Sequence, residues 1–333
     1  MRVCVFGAGA VGGYVAAMLL RQGDAEVSVV VRGAHMQAIR DRGLELRLPD
    51  ESFVVKPHAV TDCPERLPPQ DIVFVTLKSH AQSAAAPALA RLLAPAGHVV
   101  FMNNGIPWWW NYRGISDTGG ALPLLDPDAA LWHRLGPQRA LGCVLYSGNS
   151  VVAPGVIRHL GNNRWLLGEP DGSMSSRLTQ TVALLAGAGL RSQACDDLRQ
   201  EVWRKLLRNA SMNILCALTR TPIDGLASDE ELLGLYDALI RDVVAVAGAQ
   251  GFDLTGQVDA ARRAPSLGGA IDGGKLHEAQ PSMLQDVLAG RPLEIEAILG
   301  QIQAFAREAC TPCPAIDAVL PLVRALDRSA HKL

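Results

Sequence analysis

The sequence predicts an α/β domain built on a doubly wound parallel sheet, followed by an all-helical domain. Three observations predict it. A short apolar strand, a glycine turn and a helix follow one another directly over the first thirty residues. Strands and helices then alternate to about residue 195, the grammar of βαβ units. Beyond that point strand-like runs disappear. The expected boundaries are 1–195 for the nucleotide-binding domain and 196–333 for a helical, substrate-binding domain.

The opening strand is Arg2-Val3-Cys4-Val5-Phe6, an apolar run without a breaker, long enough for one buried parallel strand. Gly7-Ala8-Gly9-Ala10-Val11-Gly12 follows at once, and Gly13 to Arg21 carries helical spacing of Val15, Ala16, Leu19 and Leu20. This is the setting in which a G-x-G-x-x-G pattern binds a dinucleotide. Gly7 permits the tight turn, Gly9 lets the backbone approach a pyrophosphate, and Gly12 lets helix and strand pack closely. The phosphates then meet unpaired N–H groups at the positive end of the helix.

Glu26 to Val31 forms the second strand and ends at Arg32. An NAD site commonly has an acid there, bonded to the adenosine ribose. An arginine suits a phosphate dianion instead, by charge and by its planar fork of donors. NADP(H) is therefore the favoured cofactor.

Further along, His35 to Asp41 reads as helix and Leu44 to Val55 as a strand pair broken at Pro49-Asp50. Asp71 to Leu77 is a buried strand ending at Lys78, Ser79 to Leu93 an alanine-rich helix, and His98 to Phe101 the next strand. Ligands gather at the carboxyl ends of such strands, where Lys78 and Asn104 stand. Lys78 can reach a cofactor phosphate or ribose, or be a solvated lysine at a helix start. Asn104 offers a donor and an acceptor to a carboxamide or a 2-oxo acid, or serves a turn with Gly105. Trp108-Trp109-Trp110 can line a pocket, form an oligomer contact or cover a sheet edge. Gly114 to Pro137 reads as loop with a short helix. Leu141 to Asn149, Val151 to His159 and Arg164 to Gly168 suggest an antiparallel extension. Ser175 to Ala188 is a helix, and Gly189 to Ser192 a last strand.

The helical half opens with Asp197 to Thr219. Ser228-Asp-Glu-Glu231 reads as a capping box for a helix reaching Gly251. Helical patterns then cover Thr255 to Ala264, Pro281 to Gly290, Pro292 to Ala309 and Ala315 to Arg328. Lys205, Asn209 and Asn213 recur at i, i+4 and i+8, drifting only about 80° in total at ~100° per residue, so they share one face. A lysine partly desolvated in a cleft can deliver a proton. Ser282 at a helix start suits a cap, and Glu294 suits the start of the next helix.

With these residues in hand, the chain resembles the ketopantoate reductase (2-dehydropantoate 2-reductase) family over nearly its full length. The matching pieces are Gly7-x-Gly9-x-x-Gly12, Arg32, Lys78, Asn104-Gly105, Trp203-Arg-Lys205-x-x-x-Asn209-x-x-x-Asn213, and Ser282-Met-Leu-Gln-Asp with Glu294 twelve residues on. The resemblance implies a Rossmann-type N-terminal domain and a C-terminal all-helical domain. It implies NADPH-dependent reduction of ketopantoate to pantoate in pantothenate and coenzyme A biosynthesis, with hydride delivered to the C2 carbonyl. Lys205 would be the acid that protonates the new alcohol. Asn209, Asn213 and Ser282 would bind substrate, and Asn104 would touch substrate and nicotinamide. Lys78 and Glu294 would contact the cofactor, with Arg32 on its 2′-phosphate. Many members carry a glutamine three residues after the first lysine; here Ala81 stands there and Gln82 follows. A paralogous reductase of another 2-oxo acid or an imine is the nearest alternative. A non-catalytic NADP(H)-binding sensor is the other, and its mark would be a degraded Lys205 face.

Composition narrows the partners. With 31 Lys and Arg against 33 Asp and Glu, the formal net charge is -2, which creates no field for nucleic acid or an anionic membrane. No apolar run reaches the ~18 residues of a membrane span. A strand starting at Arg2 leaves no room for a signal peptide. Seven scattered cysteines fit a reduced, cytoplasmic setting. Cys310-Thr-Pro-Cys313 lacks the second ligand pair of a zinc site, so no metal is expected; a redox pair or an ordinary loop remains. The expected partner is a small 2-oxo acid, and a homodimer is open.

Overall fold

The computed structural model describes residues 1–114, 120–265 and 280–330; part of the loop expected over 114–137 therefore lies outside the described residues, at 115–119. The chain forms two compact units: Met1–Asn103 with Trp108–Leu198, and Asn104–Pro107 with Arg199–Leu333. The division falls just past the expected residue 195. Four residues, Asn104–Pro107, join the helical unit from within the first half of the chain.

The first unit is organised by one sheet of ten strands among the described residues. They are β1 (Arg2–Phe6), β2 (Glu26–Val30), β3 (Leu44–Arg47), β4 (Ser52–Val55), β5 (Ala59–Thr61), β6 (Gln70–Val75), β7 (Leu93–Phe101), β8 (Ala140–Ala153), β9 (Val156–Gly168) and β10 (Arg191–Ala194). Six of them run parallel in the order β5-β2-β1-β6-β7-β8. That is the Rossmann order, and its direction reverses between β1 and β6. A crevice outside the carboxyl ends of β1 and β6 is where such a sheet takes its ligand. Val3, Cys4 and Val5 of β1 and Val73, Phe74 and Val75 of β6 are fully buried, as continuous apolar runs in a parallel sheet require.

Beyond β8 the sheet becomes mixed. β9 returns antiparallel to β8, and β3 and β10 pair parallel with its two halves, while β4 closes a hairpin on β3. The three apolar runs expected between Leu141 and Gly168 are thus two long strands. The break seen in the sequence near Gly161-Asn162 is an irregularity inside β9, where both residues have positive φ, and the β8–β9 register shifts nearby. The real turn sits at Pro154-Gly155. β5, only three residues long, has no sequence signal of its own.

The three tryptophans belong to the core. Trp108, Trp109 and Trp110 are 1–4% exposed. Trp108 stands edge-on to Phe101 of β7, with centroids 5.4 Å apart. A Cβ on Gly142 of β8 would meet Trp109 Cζ2 at 2.4 Å, so that glycine makes room for the indole. They cover the sheet and present no exposed aromatic surface.

In the helical unit, Trp203 packs between Phe252 and Phe305, each 6.4 Å away by centroid. The long helix Glu230–Ala249 is capped by Asp229, whose carboxylate accepts the Leu232 N–H, and not by Ser228. The Ser228 hydroxyl donates back to Asp224 and Gly225 carbonyls at the end of the preceding short helix. Asp242 of the long helix accepts the Ile316 N–H and so fixes the start of the last helix, Pro314–Ala330.

No described helix is long and apolar enough to cross a membrane. No disulfide joins any of the seven cysteines.

The glycine turn and its helix fit tightly at Gly12. A Cβ there would meet the Thr76 hydroxyl at 2.4 Å and the Gly7 carbonyl oxygen at 2.5 Å. Gly12→Ala is expected to destabilise the protein by about 1–3 kcal/mol, the usual range for overpacking. Thermal unfolding of the nucleotide-free protein measures it, and an unchanged midpoint would contradict the fit.

Candidate active site

In the first unit the residues at the switch point are those of the glycine turn. β1 ends at Phe6, Gly7 turns the chain with φ +102°, and the helix Ala10–Gln22 begins. The Gly7 and Ala8 N–H groups donate to the Val30 carbonyl, which ties the turn to β2. Thr76, just past β6, donates its hydroxyl to the Gly7 carbonyl at 2.5 Å and ties it to the other neighbour. The first intrahelical bond runs from Gly13 N–H to the Gly9 carbonyl. The N–H groups of Ala10, Val11 and Gly12 precede it and are the donors that a helix start leaves for an anion.

Gly9 differs from Gly12 in what surrounds it. A Cβ on Gly9 would find only the Gly7 carbonyl oxygen, at 3.9 Å. The fold itself does not require glycine there, so the exposed face of the turn is where close approach by a ligand would need one. A dinucleotide pyrophosphate fits these residues.

Arg32 is exposed at the carboxyl end of β2, directly ahead of the helix Gly33–Arg42. Lys78 is half-buried ahead of the helix Ser79–Leu92 at the end of β6. Gln82 is buried and donates to the Leu77 carbonyl, which supports this bend.

In the helical unit four of the expected site residues form one hydrogen-bonded chain. Asn213 Nδ2 donates to Asn209 Oδ1 at 3.1 Å, Asn209 Nδ2 to Asn104 Oδ1 at 3.5 Å, and Asn104 Nδ2 to Glu294 Oε2 at 3.4 Å. The last two are long contacts, at the edge of hydrogen-bond range. Asn209 is 8% exposed, and Lys205, one turn before it, is half-buried.

The helix that carries them is not uniform. Leu198–Arg208 is α-helical, Asn209–Asn213 is a single π turn, and Ile214–Thr219 resumes the α-helix. In a plain α-helix Lys205, Asn209 and Asn213 drift by about 40° per step. The wider π turn, closed by i→i+5 bonds, holds an extra residue and rotates Asn213 back toward the line of Lys205 and Asn209. Such turns recur at functional sites.

A second π turn, Glu296–Gly300, packs against the first. It holds Asn104 through backbone: Ile106 N–H donates to the Ala297 carbonyl at 2.8 Å. Gly105, at φ +85°, is so close that a Cβ would sit 2.4 Å from that same oxygen. The second π turn is fixed in turn by the last helix. Arg324 pairs with Glu296 through two bonds at 2.8 and 2.6 Å, and Asp327 accepts the Leu293 N–H. Glu294 therefore stands just ahead of the helix that opens at Ile295, not within it.

Ser282 is exposed in the first turn of the helix Ser282–Leu288, where Pro281 holds the cap position, so its hydroxyl does not cap. That helix packs against the π turn and against Ile214–Thr219. Among the described residues no cluster of His, Cys, Asp and Glu could hold a metal.

Two family models cover this chain. Residues 3–172 match the ketopantoate reductase PanE/ApbA model, and residues 197–327 match the model of its C-terminal domain. The chain belongs to the ketopantoate reductase family. A 2-dehydropantoate 2-reductase of Mesorhizobium japonicum is 40% identical over 328 residues, 98% of each chain. The crystal structure of a PanE/ApbA family ketopantoate reductase from Ralstonia eutropha superposes with TM-score 0.83 at 28% identity, over 99% of this chain and all of that one. D-mandelate dehydrogenase, solved with NADH and anilino(oxo)acetate, shares the fold at TM-score 0.80 and 20% identity, over 99% and 100% of the two chains. The ketopantoate reductase family consists of nicotinamide-dependent oxidoreductases, and this chain is one of them.

Thr76, Ala297, Arg324 and Asp327 escaped the sequence reading. They act on the site through backbone or through another side chain, and no local pattern marks such residues. Gly105→Ala, which forces a side chain into positive φ and into the Ala297 carbonyl, is expected to cost about 1–3 kcal/mol or more. Chemical denaturation of the variant checks this, and unchanged stability would mean that the segment is not held as described.

Proposed function

We propose that this chain reduces ketopantoate, a 2-oxo acid, to pantoate with NADPH, within pantothenate and coenzyme A biosynthesis. The polar line Lys205–Asn209–Asn213, joined to Asn104 and Glu294, carries this reading. Family membership and the 40% identical relative support the same substrate.

The nicotinamide, when bound, supplies the hydride. The protein's own residues bind, orient and protonate. Lys205 holds a proton on Nζ and gives it to the C2 oxygen as negative charge develops there, and its cation attracts the substrate carboxylate. Asn209, Asn213 and Ser282 hold the substrate by donors and acceptors that a carbonyl, a carboxylate and a hydroxyl can use. Asn104 orients substrate and nicotinamide. Glu294 and Lys78 contact the cofactor. Gly7, Ala8, Gly9, Ala10, Val11 and Gly12 receive the pyrophosphate on the first-turn N–H groups. Arg32, exposed beyond β2, takes the 2′-phosphate and favours NADPH over NADH. Seven cysteines outside any disulfide agree with a reduced, cytoplasmic setting.

A panel of 2-oxo acids assayed by loss of NADPH absorbance tests the substrate. Ketopantoate is expected to give the highest kcat/KM, and turnover confined to another 2-oxo acid would move the assignment. Lys205→Ala is expected to lower kcat by about 10²–10⁴-fold, the usual contribution of a positioned acid. Wild-type turnover in that variant would remove Lys205 from the chemistry. Arg32→Ala is expected to weaken NADPH far more than NADH in binding titrations, and equal losses would refute the phosphate contact.

A further inference from the structure

His35 stands three residues after Arg32, where a phosphate ligand would be looked for, yet both of its ring nitrogens are engaged elsewhere. Nδ1 receives the Gly155 N–H at 2.8 Å. Nε2 lies 2.9 Å from the carbonyl oxygen of Ala8. A backbone N–H can only donate and a backbone carbonyl can only accept, so the ring is neutral and carries its single proton on Nε2. Burial acts in the same sense. It holds the imidazole below its ordinary pKa, although the bond to Ala8 alone would raise it.

Both partners are placed for a purpose. Gly155 lies in the β8–β9 turn with φ +81°, and its carbonyl accepts the Glu45 N–H. That turn rests on the helix that carries His35: a Cβ on Gly155 would lie 3.1 Å from the Ala38 Cβ, and Arg42 donates to the Pro154 carbonyl. Ala8 is the second residue of the glycine turn. The peptide plane that carries its oxygen also carries the Gly9 N–H, which donates to the Gly7 carbonyl at 2.6 Å. Rotating that plane would break this bond and re-aim the first-turn N–H groups that follow.

We propose that His35 is a positioning residue for the dinucleotide: as a neutral, two-ended clamp it locks the Ala8–Gly9 peptide so that the turn's N–H groups face the pyrophosphate. The inference rests on the reading of this turn as the dinucleotide site. It separates His35 from Arg32. The pyrophosphate is common to NADPH and NADH, so His35 serves both, whereas Arg32 serves the 2′-phosphate alone.

The test is titration of the full-length wild type, His35→Asn and His35→Gln with NADPH and with NADH, beside thermal unfolding of each without nucleotide. Asn keeps an acceptor near Nδ1 but does not extend to Ala8. Gln keeps a donor near Nε2. His35→Asn is expected to weaken both nucleotides by the same factor, about 10-fold, as for one lost hydrogen bond at the upper end of its usual worth. His35→Gln is expected to stay within about 3-fold of wild type. Wild-type affinities in His35→Asn would overturn the clamp. A loss confined to NADPH would make His35 a phosphate ligand instead. Losses that follow the unfolding midpoints, with no advantage for Gln, would reduce its role to stability. Failure of the wild type to bind either nucleotide would refute the site itself, and the clamp with it.

Discussion

Asn104 owes its position to a backbone contact with no room to spare. Gly105 lies against the Ala297 carbonyl so tightly that a side chain there would overlap it, and Ile106 N–H closes the contact with a hydrogen bond to the same oxygen. Four residues of the first half of the chain thereby become part of the helical unit. The polar chain from Asn213 through Asn209 and Asn104 to Glu294 is supported by that contact, which holds the segment carrying the Asn104 carboxamide between residues 209 and 294.

The two π turns belong to the same design. Widening a helix by one residue costs hydrogen-bond geometry and is rarely kept without a use. Here the first turn realigns Asn213 with Lys205, and the second offers Ala297 to the Asn104 segment and Glu296 to Arg324. Gly300 has no Cβ because the Glu296 carboxylate occupies that space. The last helix, far along the chain, thus sets the position of Glu294 through Arg324 and Asp327.

What the sequence made legible is the part written in short range. The strand, glycine turn and helix at the start, the arginine after the second strand, and the lysine–asparagine spacing each depend on neighbours within a few residues. Where two local signals competed, the capping-box spacing pointed to Ser228 and the structure uses Asp229. Ser228 and Asp229 both make good caps, and the preceding short helix decides by engaging the Ser228 hydroxyl. The break inside β9 looks like a turn in sequence because Gly161 and Asn162 favour positive φ, yet the hairpin partner absorbs it as an irregularity. The π turns, β5 and the allegiance of Asn104–Pro107 show no periodic signal in the sequence, and the partners they pack against lie far along the chain. The tryptophans lay open to three readings, and burial against Phe101 and Gly142 selects the core.

Proton delivery depends on where the Lys205 amine goes when both ligands are present. A crystal structure with NADP⁺ and a non-reducible 2-oxo acid analogue such as oxamate measures this directly. The expected result has Lys205 Nζ within hydrogen-bond reach, about 2.6–3.2 Å, of the analogue's carbonyl oxygen, with the pyrophosphate on the Ala10 and Val11 N–H groups. An analogue oxygen held by some other donor, with Lys205 turned to solvent, would contradict it.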